Sequence, residues 1–223
     1  MGTAERKERE KEMRRNAIID AAEQVFFSKG IENATMDEVA ELAELSKGTL
    51  YLYFKNKNEL LHAIVGRGLH ILYTRFKTAV DKEEKGIDKI KALGSAYFEF
   101  FKEEPDYYAT MLHHDTYDID PDILESNPNF ALCNELGNKL FTIMQEAART
   151  GIEDGSIRRD IDPVKLSVVL WGHSVGILNL MRTKQLFIEK IFGLSPEDIM
   201  AYSRDLLQAY LVQPAAVNNN QEG

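Results

Sequence analysis

Residues 34–57 read Ala34-Thr35-Met36-Asp37-Glu38-Val39-Ala40-Glu41-Leu42-Ala43, then Glu44-Leu45, then Ser46-Lys47-Gly48-Thr49-Leu50-Tyr51-Leu52-Tyr53-Phe54-Lys55-Asn56-Lys57. This stretch decides the fold. Thr35 and Glu38 stand at the spacing of a capping box, in which the hydroxyl accepts a backbone N–H three residues on and the acid reaches back. Ala34 and Val39 stand where a weak hydrophobic staple would. A helix of about two turns follows, with Val39, Ala40 and Ala43 facing inward. Ser46 is the next N-cap, with Leu45 and Leu50 at staple spacing. It opens a second short helix, Lys47 to Phe54, whose Leu50 and Phe54 lie four apart on the core side. Asn56 and Glu59 mark the start of a longer helix, about 57–81. Two short helices across a three-residue turn, with a long helix after them, make a helix-turn-helix on a stalk.

Working outward, residues 12–29 form a preceding helix whose Ile18, Ala21, Ala22, Val25 and Phe26 make one apolar face. Gly30 ends it in a left-handed C-cap, and residues before 12 read as a loose arm. The charged run Asp81–Gly86 is a boundary. Beyond it helices are expected near 88–103, 106–116, 121–126, 129–150, 163–184 and 195–212. Asp120-Pro121, Asp162-Pro163 and Ser195-Pro196 mark helix starts. Hairpin signals are missing, so the fold class is all-α. The expected domains are an arm and helix-turn-helix DNA-binding domain over 1–57, a C-terminal helical domain over 58–213, and a disordered tail over 214–223.

Composition narrows the function. The chain has 223 residues, 44% hydrophobic and 28% charged, ordinary for a globular protein and neither disordered nor collagen-like. Its single cysteine, Cys133, allows no internal disulfide, which fits a cytoplasmic location. The charged N-terminus is no signal peptide, and the apolar runs look too short and interrupted to span a membrane. Nucleophile-elbow, HExxH, P-loop and dinucleotide fingerprints are missing, so no enzyme and no cofactor is expected. The net charge of −9 argues at first against nucleic acid. Its distribution argues otherwise: residues 1–67 carry 11 basic and 12 acidic side chains, and residues 45–58 contain Lys47, Lys55 and Lys57 with no acid.

A helix-turn-helix presents the N-terminal end of its second helix to the major groove. That end is Ser46-Lys47-Gly48-Thr49. Lys47 can reach a guanine edge or a phosphate, Gly48 permits close backbone approach, and Thr49 can contact a base edge or a thymine methyl. Tyr51, Tyr53, Lys55 and Lys57 suit phosphates. Residues 14–65 as a whole resemble the DNA-binding domain of the TetR family of bacterial transcriptional regulators. The resemblance rests on the two runs quoted above, some twenty positions in order and register. It implies phosphate roles for Thr35, Tyr53 and Lys57, and base or phosphate roles for Lys47, Thr49 and Tyr51. Two departures stand out. Glu44-Leu45 occupies the turn where the family often has Gly-Val, and Leu52 stands where many members carry a polar residue or histidine.

For the C-terminal part the resemblance implies a ligand-binding and dimerisation domain, and residues 151–163 resemble a loop that many members have before the dimer helices. Tyr97, Phe101, Tyr108, Met111, Phe141, Met144, Trp171 and His173 are the expected lining of a pocket for a small apolar or amphipathic ligand, with His113 and Asn179 as further polar groups. His113-His114-Asp115, followed by Asp118 and Asp120, invites a metal reading. Adjacent histidines point to different helix faces, and no partner has ligand spacing, so no metal is expected. Gly172 and Gly176, four apart on an apolar helix, with Tyr202, Leu206 and Tyr210 on the last helix, suggest a two-helix face that twofold symmetry doubles into a homodimer. The expected function is a homodimeric repressor released from a palindromic, double-stranded DNA operator by its ligand. The alternative is a DNA-binding protein that works through protein partners without an inducer.

Overall fold

The computed structural model describes residues 2–114 and 125–212. Among the described residues there are nine helices and no strand, so the chain is all-α. They are α1 (Thr3–Lys29), α2 (Met36–Leu42), α3 (Lys47–Tyr53), α4 (Lys57–Val80), α5 (Gly86–Glu103), α6 (Pro105–His114), α7 (Pro128–Glu153), α8 (Pro163–Phe192) and α9 (Pro196–Leu211). All but the last two residues of the helix expected at 121–126, with Asp115, Asp118, Asp120 and the tail over 214–223, lie outside the described residues.

Contacts group the chain into two compact units, each discontinuous in sequence. One comprises residues 1–71 and 104–137, the other 72–103 and 138–223. Helices α4 and α7 contribute to both units.

The first unit packs as the sequence pattern requires. Ile18, Ala22, Val25 and Phe26 of α1, Val39 and Ala40 of α2, and Leu50 and Phe54 around α3 are all buried. α4 adds Leu60, Leu61 and Ile64. Two expectations for α1 need correction. The arm is not loose: the helix begins at Thr3, with Glu5 accepting from the Gly2 N–H at 2.8 Å and Arg6 paired to Glu10 one turn on. Such i,i+4 charge pairs support a solvated helix where no apolar face does. Gly30 has the positive φ expected, +79°, but its ψ of 154° is extended rather than left-handed helical.

In the second unit Asp162 caps α8 by accepting from the Val164 and Lys165 N–H groups, and Ser195 and Asp198 form a capping box for α9. α8 runs on to Phe192, eight residues beyond expectation, and ends at Gly193 with φ 66° and ψ 23°. The exposed polar run Arg182-Thr183-Lys184-Gln185 lies inside the helix and is followed by Leu186, Phe187, Ile188, Ile191 and Phe192, of which only Ile188 is buried. This length also changes the membrane reading. By length and composition α8 could cross a bilayer, contrary to the sequence expectation. In the fold it is a partly buried helix, with Leu166, Ser167, Leu170, Leu178, Met181 and Ile188 inward.

Candidate nucleic-acid interface

The helix-turn-helix is held by three local devices. The first is the capping box of α2. Thr35 Oγ1 accepts from the Glu38 N–H at 3.3 Å, and Glu38 accepts from the Thr35 N–H at 3.1 Å. Lys29 also binds the Glu38 carboxylate. That contact and the Thr35 hydroxyl hold the Glu38 carboxyl below its ordinary pKa.

The second device is the turn. Ala43 ends α2, and Glu44 has φ +54°, the one described non-glycine residue with positive φ. The Glu44 N–H donates to Glu41 O at 3.1 Å and the Leu45 N–H to Ala40 O at 2.9 Å. This is the Schellman pattern, which places its left-handed residue where glycine is favoured. The Glu44-Leu45 departure seen in the sequence therefore sits at the one turn position that asks for glycine.

The third device opens the recognition helix. Ser46 Oγ accepts from the Thr49 N–H at 3.2 Å, and the two hydroxyl oxygens lie 2.8 Å apart. Leu50 and Phe54 are fully buried and fix the rotation of α3. The opposite face is left to solvent: Lys47, Gly48, Tyr51, Leu52 and Lys55 are exposed, with Thr49 and Tyr53 half-buried. Leu52 is 85% exposed, an apolar group on the solvent-facing side of the helix. A Cβ at Gly48 would meet only Ser46 Oγ, at 3.9 Å, so this end of α3 is open to a large partner.

Two lysines are already engaged. Lys47 Nζ lies 2.6 Å from Asp37 Oδ2, both side chains exposed. Lys57 Nζ donates to Glu32 O and Ala34 O, each at 3.0 Å. Lys57 thus ties the loop before α2 to the start of α4. An ammonium has three donors, so one N–H remains beyond these two bonds.

In the C-terminal unit a cleft of about 250 Å³ lies among α5, α8 and α9. Ile87, Ile90, Phe98, Ile177 and Leu207 give it apolar walls, while Lys91, Glu99 and Arg204 supply charge. His173 Nε2 lies 2.7 Å from Ser203 Oγ within it. Of the eight residues expected to line a pocket, His173 lines this cleft. Tyr97 and Met144 are buried in the same unit, and Phe141 is half-buried against Trp171, which is 42% exposed. Phe101 is half-buried against Phe98. Tyr108 and Met111 are buried in the other unit. Asn179 is exposed on α8. The walls the aromatic count missed were marked by periodicity. Ile87, Ile90, Gly94 and Phe98 recur every three or four residues on α5, as do Glu197, Met200, Arg204, Leu207 and Leu211 on α9.

His113 and His114 part company, as adjacent helical residues do. His113 Nε2 is 3.8 Å from Glu32 Oε1, whereas the His114 ring meets those of His62 and Phe130. The expected dimer residues all face outward: Gly172 and Gly176 are exposed with open space beside them, and Tyr202, Leu206 and Tyr210 are 68%, 52% and 59% exposed.

Comparison with known proteins matches the same stretch of chain. Residues 18–64 match the family described as bacterial regulatory proteins, tetR family. The HTH-type transcriptional repressor KstR2 of Mycobacterium tuberculosis (strain ATCC 25618 / H37Rv) is 24% identical over 149 residues, 67% of this chain and 72% of that protein. The HTH-type transcriptional activator FasR of Mycolicibacterium smegmatis is 30% identical over 102 residues, 46% of this chain and 47% of the other. Among solved structures, the regulator FadR of Bacillus subtilis in complex with stearoyl-CoA superposes with a TM-score of 0.67 at 17% identity, covering 87% of this chain and 98% of that one. The family match falls on the helix-turn-helix, so residues 18–64 make a tetR-type DNA-binding domain, and the fold is shared with a solved regulator along most of the chain.

Proposed function

We propose that the protein is a homodimeric repressor acting in the cytoplasm on a near-palindromic operator, released by an apolar or amphipathic small molecule bound in its C-terminal unit. The observation that carries this reading is the recognition helix. Leu50 and Phe54 anchor it, while Lys47, Thr49, Tyr51 and Leu52 stand on or beside its open face. Lys47, Thr49, Tyr51 and Leu52 read base edges, and Thr35, Ser46, Gly48, Tyr53 and Lys57 set the register on the phosphates. Dimerisation is supported by Tyr202, Leu206 and Tyr210, which recur every four residues and expose apolar surface. Gly172 and Gly176 leave room beside α8 for a second helix. The cleft lined by His173 supports a ligand. Relatives point the same way: KstR2 is described as a ketosteroid regulator and FadR was solved with stearoyl-CoA. Helices α4 and α7, which contribute to both units, would carry the effect of ligand to the DNA-reading unit. Ligand shifts DNA affinity only as far as it prefers the conformation that does not bind DNA.

The test is selection of bound duplexes from a random pool by the purified protein, with Lys47→Ala alongside. The reading expects an inverted repeat enriched by the wild type and not by the variant. Half-site spacing should be about one helical turn or a multiple. Failure to enrich any inverted repeat at low salt would overturn it.

A further inference from the structure

The DNA-reading unit holds a cavity of its own, of about 430 Å³, among α1, α4, α6 and α7. That is within the range of small-molecule sites, roughly 300–1,000 Å³. Ile19, Ala63, Ile71, Leu132 and Leu136 make its walls apolar, and Arg15 and Arg67 stand at its polar side. The two guanidinium groups are not equivalent. Arg67 is more than balanced by two carboxylates, with Nη1 2.6 Å from Asp20 Oδ1 and 3.0 Å from Glu23 Oε2, and Nη2 bonded to Asn16. Arg15 has uncharged partners: it donates to Asn129 Oδ1, and its guanidinium carbon lies 5.3 Å from the centre of the Phe54 ring. Among the described residues it makes no ion pair. Burial, and then Arg67, lower its pKa against a smaller opposing effect of Glu12, so the positive charge is held at a cost.

We propose that this cavity is a second ligand site, distinct from the C-terminal cleft, and that it takes an amphipathic monoanion, a fatty carboxylate. Its alkyl chain lies along Ile19, Ile71 and Leu136, and its carboxylate meets Arg15. A guanidinium outside any ion pair, beside an apolar cavity, suits a single negative charge with an apolar body. A neutral alcohol leaves the guanidinium unpaired, and a dianion exceeds the one charge on offer. Because Arg15 and Asn129 both border the site, a bound carboxylate braces α1 against α7 within the unit that carries the helix-turn-helix.

Calorimetric titration of the full chain with decanoate tests this, with decanol as the uncharged comparison. Hydrogen bonds to a charged group are worth about 1.5–3 kcal/mol, so Arg15→Gln, which keeps an amide for Asn129, is expected to weaken decanoate binding about tenfold or more. Decanol should bind the wild type more weakly by a similar factor. Ala63→Leu, which narrows the cavity and leaves Arg15 in place, should weaken it comparably. If one variant fails to fold, the other decides. Ile177→Trp, which fills the C-terminal cleft, should leave decanoate binding at Arg15 unchanged, so the two sites are scored separately. The proposal is overturned if decanoate does not bind, if the folded Arg15 and Ala63 variants bind it as the wild type does, or if only Ile177→Trp abolishes binding.

Discussion

Lys47 Nζ and Asp37 Oδ2 lie 2.6 Å apart, so the first lysine of the recognition helix is tied to the helix that braces it. Both side chains are more than half exposed, and an exposed pair of this kind contributes only about 0–1 kcal/mol. Its importance is competitive, since a phosphate or guanine must displace Asp37 to reach Lys47. Asp37→Asn is therefore expected to leave the thermal midpoint nearly unchanged and to tighten DNA binding a few-fold. Lys47→Ala should weaken binding, and by more in the Asp37→Asn background. Fluorescence anisotropy with the selected duplex measures all three, and equal affinity of Asp37→Asn and wild type would show that the pair does not compete with DNA.

Glu44 holds a left-handed conformation that costs a non-glycine residue roughly 1–2 kcal/mol. Glycine would avoid that cost but lose about 0.5–1 kcal/mol through the freedom it gains in the unfolded chain. Glu44→Gly is thus expected to stabilise the protein by up to about 1 kcal/mol and, by removing an acid beside the recognition helix, to improve DNA binding. Chemical denaturation reads the first effect. A destabilised variant would mean that the Glu44 side chain makes an interaction outweighing its backbone strain.

Lys57 has two roles that one variant set can separate. Its bonds to Glu32 O and Ala34 O are structural, whereas the resemblance implied a phosphate contact. Lys57→Met removes both and should cost about 1–2 kcal/mol of stability. It should also lower the salt slope of DNA binding by about 0.9, one phosphate. A slope equal to that of the wild type, with stability lost, would assign Lys57 to the scaffold alone.

What the sequence made legible follows from the range of the interactions involved. Caps at Thr35, Ser46, Asp162 and Ser195 are local, set by residues three apart, and each was readable. The helix-turn-helix is a chain of such local signals, so its register and its buried Leu50 and Phe54 followed. The end of α8 falls eight residues beyond the expected 184, the helix continuing through Leu186, Phe187, Ile188, Ile191 and Phe192 to Gly193. The cleft around His173 and the cavity beside Arg15 depend on which helices pack together, and counting aromatics cannot supply that. Trp171 illustrates the failure: its size suggested a lining role, yet it stands 42% exposed. The ion pairs of Lys47 and Arg67 are likewise long-range matters, joining residues 10 and 47 apart.

His62 is buried against His114, with Nδ1 2.8 Å from Asn127 Nδ2. Burial first, and then the charge of His114, push its pKa down to about 4. In the unfolded chain the group titrates near 6.5, so between these values the unfolded state binds more protons. Stability is then whole above pH 6.5 and falls as pH drops toward 4. At about 1.4 kcal/mol per unit, the loss between pH 7 and pH 5 is roughly 2 kcal/mol. Denaturation at the two values, compared between wild type and His62→Gln, measures it. An equal loss in both would assign the acid sensitivity to other groups.

Gly176 allows stability and assembly to be driven in opposite directions. It lies within α8, exposed, and a Cβ built on it meets nothing within 4 Å. Within one chain the Cβ of Gly176→Leu meets open space at an exposed position, and the better helix propensity of leucine should stabilise the monomer by up to about 0.8 kcal/mol. In the proposed dimer the same position is where a second helix comes close, and the added side chain holds it off. The variant is expected to keep or raise its denaturation midpoint at low concentration while its mass by light scattering falls from two chains to one. DNA binding should then lose its preference for paired half-sites over a single one. Leu206→Arg should dissociate the dimer in the same way, since it would place a charge in that interface at a residue already 52% exposed in the single chain. If both variants remain two chains in solution, the helices that join the copies are not α8 and α9, and the outward apolar face of α9 would need another explanation.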